Sequence, residues 1–467
     1  MESEMDASCS KDVEMKKENC GNVVRRIKKK KLIPKDIHKK DIKYEVYTPE
    51  LPLGPEEELR FDKSAYIMLH SAQTGNPCLS FDIIRDNLGE RREEFPLTAY
   101  VVGGTQAAKA RSNSVLVVKM VNLTKIKKKN SDDSESDDSD DSEDSDGSDL
   151  AEEELPQMHC ALIKHAGCVN RIRASVHQGA PLVATWSELG RVNIWNISLQ
   201  LAAVDSPLLM NRYKEEQHST TTTPLFTFSG HQVEGFALDW SSVMPGVLAT
   251  GDCKRDIHVW NPSEGGTWLV DQRPLIGHVA SVEDVQWSPN ERNVLASCSV
   301  DKSIRIWDTR SAPNQACKLT ASNAHDSDVN VISWNRNEPF IASGGDDGVV
   351  HIWDLRQFQS ESPVATFKHH IEPVTTVEWH PTEATVFASG GADNQVALWD
   401  LSVERDMEPE QDLKATLNIS VQDLPQELLF IHQGQTDIKE LHWHPQLPGV
   451  IFSTAQNGFN VFRTISV

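Results

Sequence analysis

The sequence lacks long hydrophobic runs and paired cysteines, and each absence excludes a class of protein. No apolar stretch approaches the ~20 residues that a membrane-spanning helix needs, and the polar N-terminus has no signal-peptide core. The eight cysteines are scattered without a Cys-x-x-Cys pair, which is typical of thiols kept reduced inside the cell. We therefore expect an intracellular protein without a disulfide framework.

One segment in the middle of the chain lacks positive charge altogether. Residues 131–154 contain fourteen Asp or Glu, seven Ser and no Lys or Arg. Because the segment has almost no apolar side chain to bury, nothing offsets the entropy cost of ordering it, and we predict a solvated, disordered loop over 131–156. The formal charge of the chain is −23, and without these fourteen acids it is about −9. Such a chain favours a basic protein partner over the phosphates of nucleic acid.

The N-terminal segment, residues 1–40, has the opposite charge bias. It mixes charged residues with few apolar ones and is predicted to be a disordered tail. A dense basic cluster within it is typical of a nuclear localisation signal or a nucleic-acid patch, and a plain solvated tail is the alternative. The cluster consists of Arg25, Arg26, Lys28, Lys29, Lys30 and Lys31.

The second half of the chain repeats itself. Its three clearest copies end in Trp-Asp, and their closing tryptophans stand 46 residues apart: Trp307, Trp353 and Trp399. Three weaker copies become visible with the same spacing, and from the leading histidine to the closing aromatic all six span 28 to 30 residues. The leading histidines are His165, His231, His278, His325, His370 and His432. A period near 40–45 residues with Gly-His and Trp-Asp ends indicates blades of a β-propeller.

The composition of each copy supports four-stranded blades. Short stretches such as SIRIW and VVHIW alternate apolar and polar residues, and Gly and Asp mark the turns between them. Residues 41–130 hold four more strand-like runs, which we interpret as a divergent first blade, preceded by a helix around 36–46. Residues 157–467 would then supply the remaining six blades. The predicted fold is all-β, a seven-bladed propeller whose ring closes on itself.

These repeats resemble WD repeats, in which a turn aspartate pairs with the histidine, a strand Ser or Thr and the tryptophan. We interpret the matching residues as structural, because an enzyme needs one Ser-His-Asp triad and here the set recurs three times. The three sets are His278, Ser297, Asp301 and Trp307; His325, Ser343, Asp347 and Trp353; and His370, Ser389, Asp393 and Trp399. In the other copies Leu189, Lys254 and Gln456 replace the aspartate, so we do not expect the network there.

No pattern in the sequence supports a catalytic, cofactor or metal site. A Walker-type phosphate loop fails because Ala108 stands where a second glycine is needed when counted from Gly103. His442 and His444 flank a tryptophan as residues of one blade strand. Four clustered residues that could suggest zinc have no matching second pair, and we interpret them as strand residues: His159, Cys160, His165 and Cys168.

A family resemblance runs in order from about residue 44 to the end. The stretch ELPLGPEEELRFDKSAYIMLHSAQTGNPCLSFDIIRDNLG (50–89), then FPLTAYVVGGTQA (95–107), an acidic tract and HAGCVNRIR (165–173) closely resemble the glutamate-rich WD-repeat family of ribosome-assembly proteins. The VNR at 169–171 is also similar to histone-binding WD proteins of chromatin assembly factors. This resemblance implies a noncatalytic nucleolar factor of the nucleus that escorts a newly made basic protein of the large ribosomal subunit into pre-ribosomal particles, with histones as a further partner.

The resemblance gives the acidic loop a function as the partner-binding segment. A disordered anionic loop can attract a Lys- and Arg-rich client over a distance and release it to nucleic acid, whereas a merely solubilising charge run is the alternative. We expect a monomer with no membrane partner. The candidate contact residues are Asp132, Asp133, Glu135, Asp137, Asp138, Asp140, Asp141, Glu143, Asp144, Asp146, Asp149, Glu152, Glu153 and Glu154.

The serines of the same loop all lie next to acidic residues, which suits an acid-directed kinase. Each phosphate would add roughly −1.5 to −2 charges at neutral pH and strengthen the attraction for a basic client. The candidate phosphorylation sites are Ser131, Ser134, Ser136, Ser139, Ser142, Ser145 and Ser148.

A second class of function competes with the chaperone interpretation. Trp307 to Arg310 and Trp353 to Arg356 fit the WDxR box of substrate receptors of cullin-four ubiquitin ligases. Arg310 and Arg356 would then contact the ligase adaptor from one rim of the propeller. The alternative is that an arginine after Trp-Asp is an ordinary feature of a blade.

Overall fold

The computed structural model describes residues 25–27, 44–46, 59–60, 62–126, 155–217, 222–403 and 425–467. The acidic residues and serines of 131–154, together with Lys28, Lys29, Lys30 and Lys31, lie outside the described residues, so their proposed roles stay predictions. Within the segment that we predicted to be a disordered tail, Arg25–Ile27 form a short strand. This strand pairs with Tyr44–Val46 and Leu59–Arg60, so the helix expected around 36–46 is wrong at its C-terminal end.

Seven four-stranded antiparallel sheets form the blades of a propeller. The strands are Cys78–Ile84, Leu97–Thr105, Ser114–Leu123 and Gln157–Lys164 in blade 1; Val169–His177, Ala180–Ser187, Arg191–Asn196 and Phe226–Phe228 in blade 2; Ala237–Trp240, Leu248–Gly251, Ile257–Ser263 and Thr267–Val270 in blade 3; Val282–Trp287, Val294–Ser299, Ile304–Asp308 and Cys317–Ala321 in blade 4; Val329–Trp334, Phe340–Gly345, Val349–Asp354 and Ala365–Lys368 in blade 5; Val374–Trp379, Val386–Gly391, Gln395–Asp400 and Leu428–Gln433 in blade 6; and Ile438–Trp443, Val450–Ala455, Gly458–Thr464 and Tyr66–Ala72 in blade 7.

Blade 7 is built from both ends of the described chain, which corrects the predicted blade boundaries. The strand Tyr66–Ala72 pairs with Gly458–Thr464 and completes blade 7, although we predicted it as the first strand of a blade within 41–130. Blade 1 takes its fourth strand, Gln157–Lys164, from beyond the acidic segment. Joining the ends in one sheet leaves no gap in the ring. The acidic segment therefore interrupts blade 1 instead of connecting two blades.

The first strand of each blade faces the axis of the ring. First strands of successive blades contact one another from blade 1 through blade 7, and that of blade 7 contacts blade 1 again. Because the strands of a blade alternate in direction, its loops divide between two rims. The first rim holds the loops between second and third strands and the connections between blades. The second rim holds the loops between first and second strands and between third and fourth strands.

The second rim carries the helices and the largest insertions. The α-helices Ser198–Asp205 and Pro207–Gln217 lie between the third and fourth strands of blade 2. The acidic segment occupies the same position in blade 1. Neither helix of the described residues has the length and apolarity to cross a membrane. Short 3-10 helices occupy Lys63–Ala65, Ala110–Ser112, Pro313–Gln315 and Phe358–Ser360.

Large buried side chains pack between neighbouring blades. Five tryptophans are almost fully buried, and they include the closing tryptophans of four copies: Trp186, Trp260, Trp307, Trp353 and Trp399. Each blade alternates residues that face its two neighbours, so every interior sheet buries both faces, which a single blade cannot do. The result is a closed core that holds the two rims at fixed positions.

Candidate functional site

The predicted His–Ser–Asp–Trp sets of blades 4 to 6 come together as hydrogen-bonded relays. In blade 4, Trp307 Nε1 lies 2.8 Å from Ser297 Oγ, which lies 2.6 Å from His278 Nε2. His278 Nδ1 lies 2.9 Å from the carboxylate of Asp301. The donors fit a neutral imidazole: the indole donates to the serine, the serine donates to Nε2, and Nδ1–H donates to the aspartate. Every buried polar group of the set is therefore satisfied.

Blades 5 and 6 repeat this geometry closely. His325 Nε2 lies 2.7 Å from Ser343 Oγ, and His370 Nε2 lies 2.8 Å from Ser389 Oγ. The closing Trp353 and Trp399 both donate to those serines at 2.9 Å, and Asp347 and Asp393 accept from the histidines at about 3.0 Å. The repetition in adjacent blades gives each set a structural role.

Burial and hydrogen bonding shift the ionisation of these groups in the expected directions. Burial lowers the pKa of His278, which keeps the imidazole neutral. Burial by itself raises the pKa of Asp347, but the hydrogen bond from His325 outweighs it and brings the pKa down to about 2. The network therefore contains charged carboxylates and neutral histidines at neutral pH.

Blade 3 also has a complete network, which corrects our expectation. Asp252 accepts from His231 Nδ1 at 2.8 Å, while Thr250 Oγ1 lies 2.9 Å from His231 Nε2 and 3.0 Å from Trp260 Nε1. The turn GDCKRD of this blade is longer, so the aspartate stands two residues before Lys254, where we looked for it. Allowing the turn length to vary would have identified Asp252 from the sequence.

Blades 2 and 7 depart from the network. In blade 2, Thr185 Oγ1 bonds both His165 Nε2 and Trp195 Nε1, and the carbonyl of Gly167 replaces the aspartate at 2.9 Å. In blade 7, His432 lies in the fourth strand of blade 6, where its Nδ1 lies 2.9 Å from Tyr66 Oη. His432 is therefore not the loop histidine of its copy, although its spacing to Phe462 suggested so.

A buried charge cluster in the central channel went unrecognised in the sequence. Glu440 of blade 7 is 2% exposed, and its Oε1 lies 2.8 Å from Arg171 Nη1 and 2.7 Å from Arg173 Nη2. Both arginines belong to blade 2, so they reach across blade 1, whose Phe81 N–H donates to Glu440 Oε2 at 2.8 Å. We call Arg171, Arg173, Glu440, His442 and Glu378 the clasp. It joins the blades on both sides of the ring closure.

The clasp is charged at neutral pH. Burial alone raises the pKa of Glu440, but the positive charges of Arg173 and Arg171 hold it well below its usual range. His442 Nδ1 lies 2.8 Å from Glu378 Oε2. Although burial disfavours the imidazolium, the charge and hydrogen bond of Glu378 together with Glu440 raise the pKa of His442 to about 10.

Hydrogen bonds also connect neighbouring first strands around the channel. Trp287 N–H donates to Asp239 at 2.7 Å, Trp334 N–H donates to Gln286 at 2.8 Å, and Trp443 N–H donates to Glu378. In each case a residue of one blade accepts from the next blade. These side-chain bonds add to the apolar packing, so the ring is a rigid frame for its loops.

The helices of blade 2 are mounted on blade 1. Asp205 accepts from Lys119 Nζ at 2.8 Å and from Tyr100 Oη at 2.6 Å, while Tyr213 Oη donates to the carbonyl of Leu162 at 2.6 Å. Lys119 and Leu162 belong to the third and fourth strands of blade 1. These are the two strands that flank the acidic segment, so the helices and the ends of that segment share one side of the second rim.

The two WDxR arginines are exposed on the second rim. The guanidinium of Arg310 binds Asp308 with two hydrogen bonds of 2.9 and 2.7 Å, and that of Arg356 binds Asp354 with contacts of 2.9 and 2.7 Å. Their side chains are 68% and 65% exposed. The aspartate of each Trp-Asp pair therefore orients an arginine that stays accessible to a partner.

The residues considered for zinc do not converge. His159 and Cys160 are neighbours on the fourth strand of blade 1 and so point to opposite faces, while His165 takes part in the blade 2 network. Among the residues that the structure describes, no group of three His, Cys, Asp or Glu has the arrangement to hold a metal ion.

A closed ring of seven blades, four of them with a His–Ser/Thr–Trp–Asp network, defines a WD-repeat β-propeller. The family model for "WD domain, G-beta repeat" matches residues 270–308, 316–354 and 361–400. A second family model, which describes the histone-binding protein RBBP4 and its counterpart in the CAF1 complex, matches residues 56–124. That match spans the strand that closes blade 7 and most of blade 1.

Relatives of similar length extend the match over most of the chain. The glutamate-rich WD repeat-containing protein 1 of Dictyostelium discoideum is 47% identical over 88% of this chain and 83% of its own. The ribosome assembly protein rrb1 of Schizosaccharomyces pombe is 44% identical over 90% and 85%, and the protein HEAT STRESS TOLERANT DWD 1 of Arabidopsis thaliana is 43% identical over 88% and 89%. The chain belongs to this family of glutamate-rich WD-repeat and ribosome-assembly proteins.

Proposed function

We propose that this protein is a noncatalytic chaperone of a basic client in the nucleus and nucleolus. The client is a newly made protein of the large ribosomal subunit, and histones are a second client class. The similarity to a ribosome assembly protein and to a histone-binding family model supports both client classes. The observation that carries the proposal is the insertion of fourteen acidic residues, without one positive charge over 131–154, into a blade of a rigid ring.

The physical argument follows from charge and tethering. Ribosomal proteins and histones carry dense positive charge that is meant for nucleic acid. An anionic segment attracts such a client over a distance that grows as the ionic strength falls. Since the segment is anchored at both ends on blade 1, the captured client stays beside the propeller. Nucleic acid then takes the client by offering a denser negative charge.

The test compares the parent protein with a variant of equal length and no segment charge. In this neutralised variant all fourteen Asp and Glu of 131–154 become Asn and Gln. We expect basic partners to co-purify with the parent at moderate salt and to be lost from the variant, and capture by the parent to weaken steeply as salt rises. Unchanged recovery of basic partners with the neutralised variant would contradict the proposal.

Phosphorylation of the seven serines would strengthen capture, because each phosphate adds roughly −1.5 to −2 charges. The expected result is weaker client binding after phosphatase treatment of protein purified from cells. A version with all seven serines changed to alanine is the control, since its affinity should not respond to phosphatase. An equal response in that control would show that the loop serines are not the relevant sites.

A second candidate function rests on the two exposed WDxR arginines. Arg310 and Arg356 occupy equivalent positions of adjacent blades, and each is held by its aspartate while remaining mostly exposed. This pair would bind the adaptor of a cullin-four ubiquitin ligase. Charge reversal of both arginines should abolish co-purification of the adaptor without affecting basic clients, and retention of the adaptor would exclude this function.

A further inference from the structure

The helix pair of blade 2 has one face that is used and one that is not. Gln200, Ala203 and Val204 are buried against the blades. The outer side chains of Leu199, Leu208 and Leu209 are 71%, 77% and 42% exposed. Mounting the helices on blade 1 needs only the inner face, so the outer leucines have no role in holding them.

These leucines belong to a concentration of exposed apolar side chains. The described residues contain fourteen exposed large hydrophobic side chains, and four of them fall in the single connection that bears the helices: Leu199, Leu208, Leu209 and Leu225. A lone exposed leucine is ordinary on a protein surface, but several in one connection indicate a surface that a partner covers. Covering one leucine fully contributes about 1.5–3 kcal/mol.

The location of the helices indicates which partner this is. Asp205 contacts Lys119, which stands four residues before Leu123 at the end of the strand that leads into the acidic segment. At a rise of about 3.3 Å per residue, the helix contact lies roughly 13 Å from the point where that strand ends. An ideal coil of the length of residues 127–154 reaches about 29 Å. A polypeptide held by the acidic segment is therefore within reach of the leucines.

We propose that Leu199, Leu208 and Leu209 form an apolar docking surface for the basic client. This inference rests on the proposed function and adds to it the position of the specific contacts. Fourteen carboxylates anchored on the same blade repel an acidic partner and attract a basic one, so charge complementarity selects the occupant. The acidic segment supplies charge, and the leucines contact apolar side chains that stand between the lysines and arginines of the client.

The test uses two synthetic lysine-rich peptides of equal length and equal charge. One has leucine at every fourth position, and the other has serine there. Their binding is measured by fluorescence anisotropy to the parent protein, to the neutralised variant and to the triple variant L199Q/L208Q/L209Q, whose glutamines keep a good helix propensity. L269Q is the matched control, because Leu269 is 68% exposed on the outer strand of blade 3, away from the helices.

We expect the triple variant to bind the lysine–leucine peptide at least about tenfold more weakly, with no change for the lysine–serine peptide and none for L269Q. Equal affinity of the triple variant and the parent for the lysine–leucine peptide would overturn the inference, and so would equal weakening for both peptides. If neutralising the acidic segment changes neither affinity, the proposed function fails, while the leucine comparison still decides the docking surface. An unchanged urea midpoint of the triple variant shows that its fold is intact.

Discussion

Blades 4 to 6 and the blades that flank the ring closure achieve the same packing with different contacts. In blades 4 to 6 a neutral histidine links a serine, a tryptophan and a turn aspartate, and this set recurs with nearly constant distances. In blades 7, 1 and 2 the main buried polar contact is the clasp, in which Glu440 holds Arg171 and Arg173 across an intervening blade. The first device stabilises one blade, and the second joins three.

This difference explains where the insertions occur. A repeated blade carries its stabilising network within itself and leaves little room for inserted segments. Blades 1 and 2 depend on contacts with their neighbours, and they carry the acidic segment and the helix pair. The regular part of the ring therefore serves as the frame, and the closing part bears the surfaces that we assign to client binding.

The largest expected effect comes from breaking the clasp with Glu440→Ala. Removing the carboxylate leaves two buried arginines and the Phe81 N–H without their partner, which costs about 3–5 kcal/mol of the free energy of unfolding. Urea denaturation followed by tryptophan fluorescence measures this loss. Glu372→Ala is the control, because Glu372 is exposed on the first rim and its removal should leave the urea midpoint unchanged. Similar midpoints for the two variants would contradict the role of the clasp in closing the ring.

The next effect separates the two kinds of contact by pH. The folded-state pKa of His442 is raised from 6.5 to about 10, so its stabilising contribution is complete below pH 6.5 and is lost as the pH rises towards 10. The pKa of Asp347 is lowered from 3.8 to about 2, so its contribution is present above pH 3.8 and is lost as the pH falls towards 2. We expect His442→Gln to reduce the decline of the urea midpoint between pH 7 and 9, and Asp347→Asn to leave that decline unchanged. An identical alkaline decline in His442→Gln and the parent would contradict this assignment.

The predictability of the fold follows the same division. The networks of blades 4 to 6 were predictable because each is confined to about 30 residues and repeats. The pairing of Tyr66–Ala72 with Gly458–Thr464 was not, since it joins strands nearly 400 residues apart and no local pattern carries that information. The clasp was missed for the same reason: Arg173 and Glu440 are separated by 267 residues, and each occurs once. The outer leucines of the helix pair could not be told from core leucines by composition.

A smaller effect is expected from removing one serine of a regular blade. Ser343→Ala takes away the partner of both His325 Nε2 and Trp353 Nε1, and leaving these buried groups unsatisfied costs about 1–3 kcal/mol. Thr185→Val in blade 2 removes the equivalent hydroxyl at nearly constant volume and is the matched comparison. Losses of similar size would show that blade 2 depends on its own network as much as blade 5 does, which would contradict the division between frame and closing blades.

The smallest effect on stability is expected from Arg356→Ala on the second rim. The guanidinium is exposed and its bond to Asp354 is open to solvent, so its loss should leave the urea midpoint unchanged. The same holds for Arg310 and Asp308 in blade 4. Because these pairs contribute so little to folding, any loss of a partner in the double variant R310A/R356A reports directly on a contact. Co-purification of a ligase adaptor with the parent but not with this variant would assign the second rim of the frame to a protein partner as well. Recovery of the same partners with both proteins would leave the arginines as ordinary surface residues and confine client contacts to the closing blades.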